Sequence, residues 1–165
     1  MQQVTASANR PAALYTDDER RRRDASRWTL VQGILAPLQF LVFLVSVALV
    51  LRYLATGDGF TAATVSILVK TVVLYTIMIT GAIWEKEVFG QYLFAPAFFW
   101  EDVVSMGVIA LHTLYLWGLL TGHLAPREQM FVALAAYATY VVNAAQFLWK
   151  LRAARLQAAA TGTSR

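Results

Sequence analysis

Four stretches of the chain, residues 28–54, 62–83, 97–120 and 129–149, are each long and apolar enough to cross a bilayer. A spanning helix needs about 20 mostly apolar residues, and in hydrocarbon only helices and closed barrels satisfy every backbone polar group. The predicted fold is therefore all-α, an integral membrane bundle of four transmembrane helices. "TGDGF" (56–60) and "TGHLAP" (121–126) are short connections with Gly and Pro breakers, which predict two antiparallel hairpins. Residues 84–96 form the longer connection between them.

The basic residues predict an orientation. Arg10, Arg20, Arg21, Arg22, Arg23, Arg27, Lys86, Lys150, Arg152, Arg155 and Arg165 lie on one side, Arg52 and Arg127 on the other, and Lys70 inside a span. Eleven against two puts both termini and the 84–96 loop in the cytoplasm. Residues 1–27 read as a polar, basic N-terminal tail, 28–151 as the membrane domain and 152–165 as a C-terminal tail. Residues 1–16 and 157–165 are expected to be disordered, because they bury too little apolar surface to offset their ordering entropy. No aromatic-studded basic surface follows the arginines, so the expected partner is the lipid bilayer and not a nucleic acid. The chain has no cysteine, which excludes disulfides and thiol chemistry.

Polar residues inside the spans each ask for a reason, since an ionisable group at bilayer depth costs roughly 2.5–3.5 kcal/mol on insertion scales. Gln32, Ala36, Gln39, Phe43 and Ser46 share one stripe of the first span, expected to face the bundle. Pro37 predicts a kink there. Lys70 has three open readings: snorkelling outward, a structural pairing with His112, or a catalytic role. In the third span Glu101, Ser105, Val108 and His112 share one face, with Asp102 beside it. Pro96 is the expected first helical residue, which sets both acids beyond the first turn. In the fourth span Asn143 and Gln146 are candidate ligand contacts, while Trp149 and Lys150 read as an interfacial anchor.

"WEKEVFGQYLFAPAFFWED" (84–102) concentrates Glu85, Glu87, Glu101 and Asp102, four of the ten acids, among seven aromatics. One reading is an aromatic belt, Trp84, Tyr92, Phe94 and Trp100, whose acids touch headgroup water. The other is an active site. Acids gain nothing from an anionic cytoplasmic lipid surface, which argues for the second.

"RRRDASRWTLVQGILAPLQFLVFLVS", "TGAIWEKEVFGQYLFAPAFFWEDVVSM", "IALHTLYL" and "AAYATYVVNAAQFLWKLR" together resemble the 2-vinyl bacteriochlorophyllide hydratase family of anoxygenic phototrophic bacteria. The resemblance covers roughly residues 15–156. It implies hydration of the C3 vinyl group of chlorophyllide a, or a related magnesium chlorin, to a 1-hydroxyethyl group on the way to bacteriochlorophyll a. No redox cofactor is implied. The implied location is the cytoplasmic membrane of a phototrophic bacterium, with other pigment-synthesis enzymes as candidate partners.

Adding water to a vinyl group requires a proton on its terminal carbon, leaving a cation on the inner carbon that the macrocycle delocalises. A crowded or desolvated carboxyl group can be that acid. Glu101 is the expected donor, with Glu85 or Asp102 handling the water and Glu87 as a further candidate. Trp84, Tyr92, Phe98, Phe99 and Trp100, with Gln39, Asn143 and Gln146, are the expected substrate contacts; aromatic faces suit a flat chlorin and a developing cation. His112 is a candidate ligand to the substrate magnesium, with water or Asn143 as alternatives. A non-catalytic chlorin carrier remains the competing class, and it would need the groove but not the clustered acids.

Overall fold

The computed structural model describes residues 13–162. Among them there are five helices and no strand: α1 (Asp17–Ala25), α2 (Arg27–Thr56), α3 (Phe60–Phe89), α4 (Phe99–Thr121) and α5 (Pro126–Gly162). The last four are each long and apolar enough to cross a membrane, over Arg27–Thr56, Phe60–Phe89, Phe99–Thr121 and Pro126–Leu156.

Glycine sets the tight connections. Gly57 ends α2 at φ 79° and Gly59 starts α3 at φ 87°, so only Asp58 separates two left-handed residues. L side chains rarely adopt that region, and the result is an antiparallel α2–α3 hairpin. Gly122 at φ 68° closes α4 in the same way ahead of α5. Packing is extensive within each hairpin and sparser between them, above all along the α3–α4 seam.

The bundle core is apolar at most levels, with Val50, Ala63, Ile67, Leu74, Val108, Met130, Ala133 and Ala136 all buried. Its centre is aromatic. Phe43 packs edge-on against Tyr137 and tilted against Tyr140, with centroids 5.5 and 5.1 Å apart. Ser46 and Tyr137 bond hydroxyl to hydroxyl across α2 and α5 at 2.5 Å, and Ser46 also reaches Ser66 on α3 at 2.7 Å. Such bonds join helices that lipid tails alone do not drive together. Leucines, valines and phenylalanines such as Leu30, Leu41, Val72 and Phe131 point outward.

Several expectations change. Residues 13–27 are not simply a solvated tail. Thr16 caps α1 in a reciprocal capping box with Glu19, and Tyr15 is buried against Val88 and Phe98. Residues 1–12, including Arg10, lie outside the described residues, as do 163–165. At the other end α5 continues to Gly162, so residues 157–162 are helical and not irregular. Pro96 precedes α4 instead of opening it, which places Glu101 and Asp102 in the first helical turn after all. There they also complement the helix dipole. Lys70 does not snorkel: it is fully buried in the bundle.

Gly118 tests the α4–α5 closure. A Cβ there would lie 2.4 Å from Leu124 Cδ1 and 2.8 Å from its Cγ. Gly118→Val should lower stability by about 1–3 kcal/mol through overpacking, read as a reduced midpoint of thermal unfolding in detergent, whereas Gly33→Ala, with open space around it, should leave that midpoint within a degree or two.

Candidate active site at the loop end of the bundle

The connection between the hairpins, residues 90–98, folds back onto the helix ends and presents its backbone to the acids. Gly90 closes α3 at φ 87°. Phe94 takes φ 59°, the left-handed region, as the only non-glycine to do so among the described residues. That conformation is uncommon for a large side chain, and it turns two consecutive N–H groups inward. Phe94 N–H donates to Asp102 Oδ2 at 2.7 Å, and Ala95 N–H donates to Glu85 Oε2 at 3.3 Å. Local strain is thus held by two carboxylate contacts.

Glu85 from α3 and Asp102 from α4 are both buried and lie against one another, within side-chain hydrogen-bonding reach. Two ionised carboxylates repel at such range, and one shared proton satisfies both. Glu101 faces a different partner. Its Oε2 accepts from Lys150 Nζ at 2.5 Å, and the same ammonium donates to the carbonyl of Ala97. The Glu101 carbonyl accepts from Ser105 Oγ and from Asn143 Nδ2, both at 2.8 Å. Gln146, one turn beyond Asn143, keeps a buried Oε1 without a partner.

Phe98 is the floor of this end. It contacts Tyr15, Trp84, Phe89 and Phe147, with centroids between 5.7 and 6.3 Å apart. Trp84 is fixed in turn by its Nε1–H donating to Thr29 Oγ1 at 2.9 Å. Arg23 lies over the Tyr15 ring at 4.8 Å, so the N-terminal segment is seated on the same cluster. Burial raises the Tyr15 phenol above its ordinary value, with the nearby Arg23 acting in the opposite sense.

The sequence candidates therefore divide. Glu85, Glu101, Asp102, Trp84, Phe98 and Asn143 come together, with Gln146 one turn from Asn143 along α5. Phe99, Trp100 and Tyr92 are exposed on the outer rim, Trp100 at 68%. Glu87 is exposed and accepts from Ser26 Oγ, the N-cap of α2, at 2.5 Å. Gln39 is buried at the middle of α2, away from the acids. His112 is buried eleven residues past Glu101 on α4, about 16 Å along the axis at the helical rise. That exceeds the half-width of a chlorin ring, so a magnesium bound at His112 would not leave the vinyl group at the acids.

Lys150 and Tyr15 were not among the candidate site residues. Lys150 had an adequate explanation as an interfacial anchor, and Tyr15 lay in a segment read as tail. The spacing of Lys150 from Asn143 and Gln146 on one α5 face was the available signal for the first. Among the described residues there is no cluster of His, Cys, Asp and Glu suited to a protein-bound metal.

The family model described as 2-vinyl bacteriochlorophyllide hydratase matches residues 15–153. The chain belongs to the 2-vinyl bacteriochlorophyllide hydratase family. A relative of that name from Rhodobacter capsulatus is 75% identical over 147 residues, covering 89% of this chain and 85% of the relative. Another of that name, from Cereibacter sphaeroides, is 72% identical over 155 residues, covering 93% and 96% respectively. No solved structure matches. The matched region includes α1 and Tyr15 as well as α2, α3, α4 and α5 as far as residue 153.

Removing Lys150 should expose how much the buried Glu101 depends on it. Lys150→Met leaves a buried carboxyl unpaired and should cost about 3–5 kcal/mol, measured by thermal unfolding in detergent. The double change Lys150→Met with Glu101→Gln should recover most of that loss; an equally unstable double variant would mean the pair is not what holds this end.

Proposed function

We infer that the chain is a hydratase, a hydro-lyase acting in the synthetic direction, which adds water across the C3 vinyl group of a chlorophyllide in bacteriochlorophyll biosynthesis. The identity to hydratases of that name over nearly the whole chain supports this most directly. The site supports it independently, because the reaction needs a proton donor, a water-binding base and an apolar wall, and all three stand at one end of the bundle.

The contact between Glu85 and Asp102 carries the mechanism. Each accepts one backbone N–H through one oxygen, which leaves their remaining oxygens to share a proton. That proton passes to the terminal vinyl carbon. The resulting cation spreads into the macrocycle beside the aromatic rings of the site. The carboxylate left behind takes a proton from the attacking water as oxygen bonds to the inner carbon, so the pair regains its proton and the net change is one water added. Glu101, paired with Lys150, is poorly placed to donate; its role is to hold negative charge near the cation. The donor role expected of Glu101 thus passes to the pair, which keeps the water-handling role expected of it. Gln146 Oε1, buried and unpartnered, suits accepting a hydrogen bond from that water.

Only the vinyl arm has to reach the buried acids. The flat ring itself rests on the rim rings Phe94, Phe99 and Trp100, which are exposed at the level of the helix ends. A carrier would use the rim in the same way, but the carboxyl pair favours turnover. The basic residues of α1, Lys86 and Lys150 support placing this end, with both termini, in the cytoplasm. The membrane is then the cytoplasmic membrane, and other pigment-synthesis enzymes would meet the chain on this face.

Purified protein mixed with chlorophyllide a and no added cofactor should form a product one water heavier, with the absorption change that follows loss of the conjugated vinyl group. Glu85→Gln and Asp102→Asn should each lower kcat by about 10²–10⁴-fold, and Glu101→Gln by less. Full activity in Glu85→Gln would remove the pair from the mechanism, and chlorin binding without conversion by the unaltered protein would favour the carrier. Cysteines placed at Gln91 and at Asp58 of this cysteine-free chain should react with membrane-impermeant thiol reagents from opposite sides, Gln91 from the cytoplasm.

A further inference from the structure

Well away from the acids, the bundle encloses a second polar group that the hydration chemistry leaves unused. Lys70 on α3 and His112 on α4 are both 0% exposed. Lys70 Nζ lies 3.7 Å from the centre of the Tyr140 ring and has no hydrogen-bond acceptor. His112 packs against Tyr137 at 5.9 Å, and its Nε2 has no partner either. Phe43 packs against both of those tyrosine rings, so the two side chains meet one aromatic group, and they lie within electrostatic reach of each other without bonding directly.

The hydrogen-bonding roles are determined. His112 Nδ1 lies 2.8 Å from the carbonyl of Val108. A carbonyl only accepts, so Nδ1 carries the proton and Nε2 of the neutral ring presents a lone pair. Lys70 Nζ presents N–H groups whether or not it is protonated. A buried donor and a buried acceptor that do not reach one another are costly in hydrocarbon. An anion would suit Lys70 but meet the Nε2 lone pair, and a metal cation would suit Nε2 but meet the Lys70 N–H groups. Water accepts from one and donates to the other and is small enough to stand between them, and polar buried sites of this kind hold ordered water.

We propose that Lys70 and His112 form a water-binding site inside the bundle, between α3 and α4, separate from the carboxyl cluster. It lies between α3 and α4, which pack less closely than α2 and α5 do. Tyr75 and Thr113 join the same two helices on the outside, hydroxyl to hydroxyl at 2.7 Å. The site does not depend on which group protonates the pigment.

The test uses full-length protein, labelled with carbon-13 and nitrogen-15, in bilayers of deuterated lipid. Solid-state NMR then follows magnetisation transferred from water. Transfer to Lys70 Nζ and the His112 ring should build up several-fold faster than to the neighbouring Ile67 and Val108 side chains. Lys70→Met should slow the transfer to His112 to the rate of Val108, while Lys70→Gln, which keeps a donor, should retain it. Three results would each overturn the proposal. These are transfer to His112 no faster than to Val108 in the unaltered protein, a scalar coupling between Lys70 Nζ and His112 Nε2 revealing a direct bond, and shifts of both signals when chloride is exchanged for bromide.

Discussion

Two backbone N–H groups, those of Phe94 and Ala95, hold the loop end of this bundle together. They come from a connection too short and too apolar to leave its amides unsatisfied at a membrane boundary. The acceptors are carboxyl oxygens from two helices, Glu85 at the end of α3 and Asp102 at the start of α4. Those helices otherwise touch sparingly. The loop thus joins the hairpins by its backbone, and the same contacts bring two acids face to face. In the proposed mechanism stability and chemistry rest on one arrangement, and the two bonds offset the strained φ at Phe94.

Around that contact the remaining charges separate by partner. Lys150 pairs Glu101 and leaves Glu85 and Asp102 to each other, so three acids close in space occupy two electrostatic settings. On the mechanism proposed above, a site that both gives a proton and holds a cation uses that division. Glu87 is turned outward to Ser26 and is removed from the group. The aromatic floor at Phe98 draws its other rings from α3 and α5 and from Tyr15, which lies just before α1.

The four spans and both hairpins were legible in the sequence, because apolar length and glycine breakers are local signals that lipid makes binding. The acid-rich stretch stood out too, since acids gain nothing from an anionic lipid surface, although a belt with acids in headgroup water stayed open as a reading. Pairing was not. Glu101 and Lys150 are 49 residues apart, and no local pattern says that Lys150 turns to Glu101 and not to headgroups. Pro96 suggested an earlier start to α4, yet Ala97 and Phe98 stay outside it because the loop needs them to reach back to α3. Tyr15 was hidden by the polar residues around it; a single aromatic in a basic segment is a weak signal until Phe89 and Phe98 are in place beside it.

Lys70 shows the same limit at bilayer depth. Its distance from the helix end permits an outward reach, so snorkelling satisfies the local cost. What turns it inward is the α5 face, where Tyr140 offers an aromatic surface and Tyr137 lines up with Ser46. Those contacts need the helices in register, and Ser46 on α2 ties two of them together by bonding Ser66 on α3 and Tyr137 on α5. A change at Tyr140 would act locally, by removing the ring over which Lys70 Nζ sits. The acids and the interior polar group share helices without sharing contacts, so each can be altered while the other stays intact.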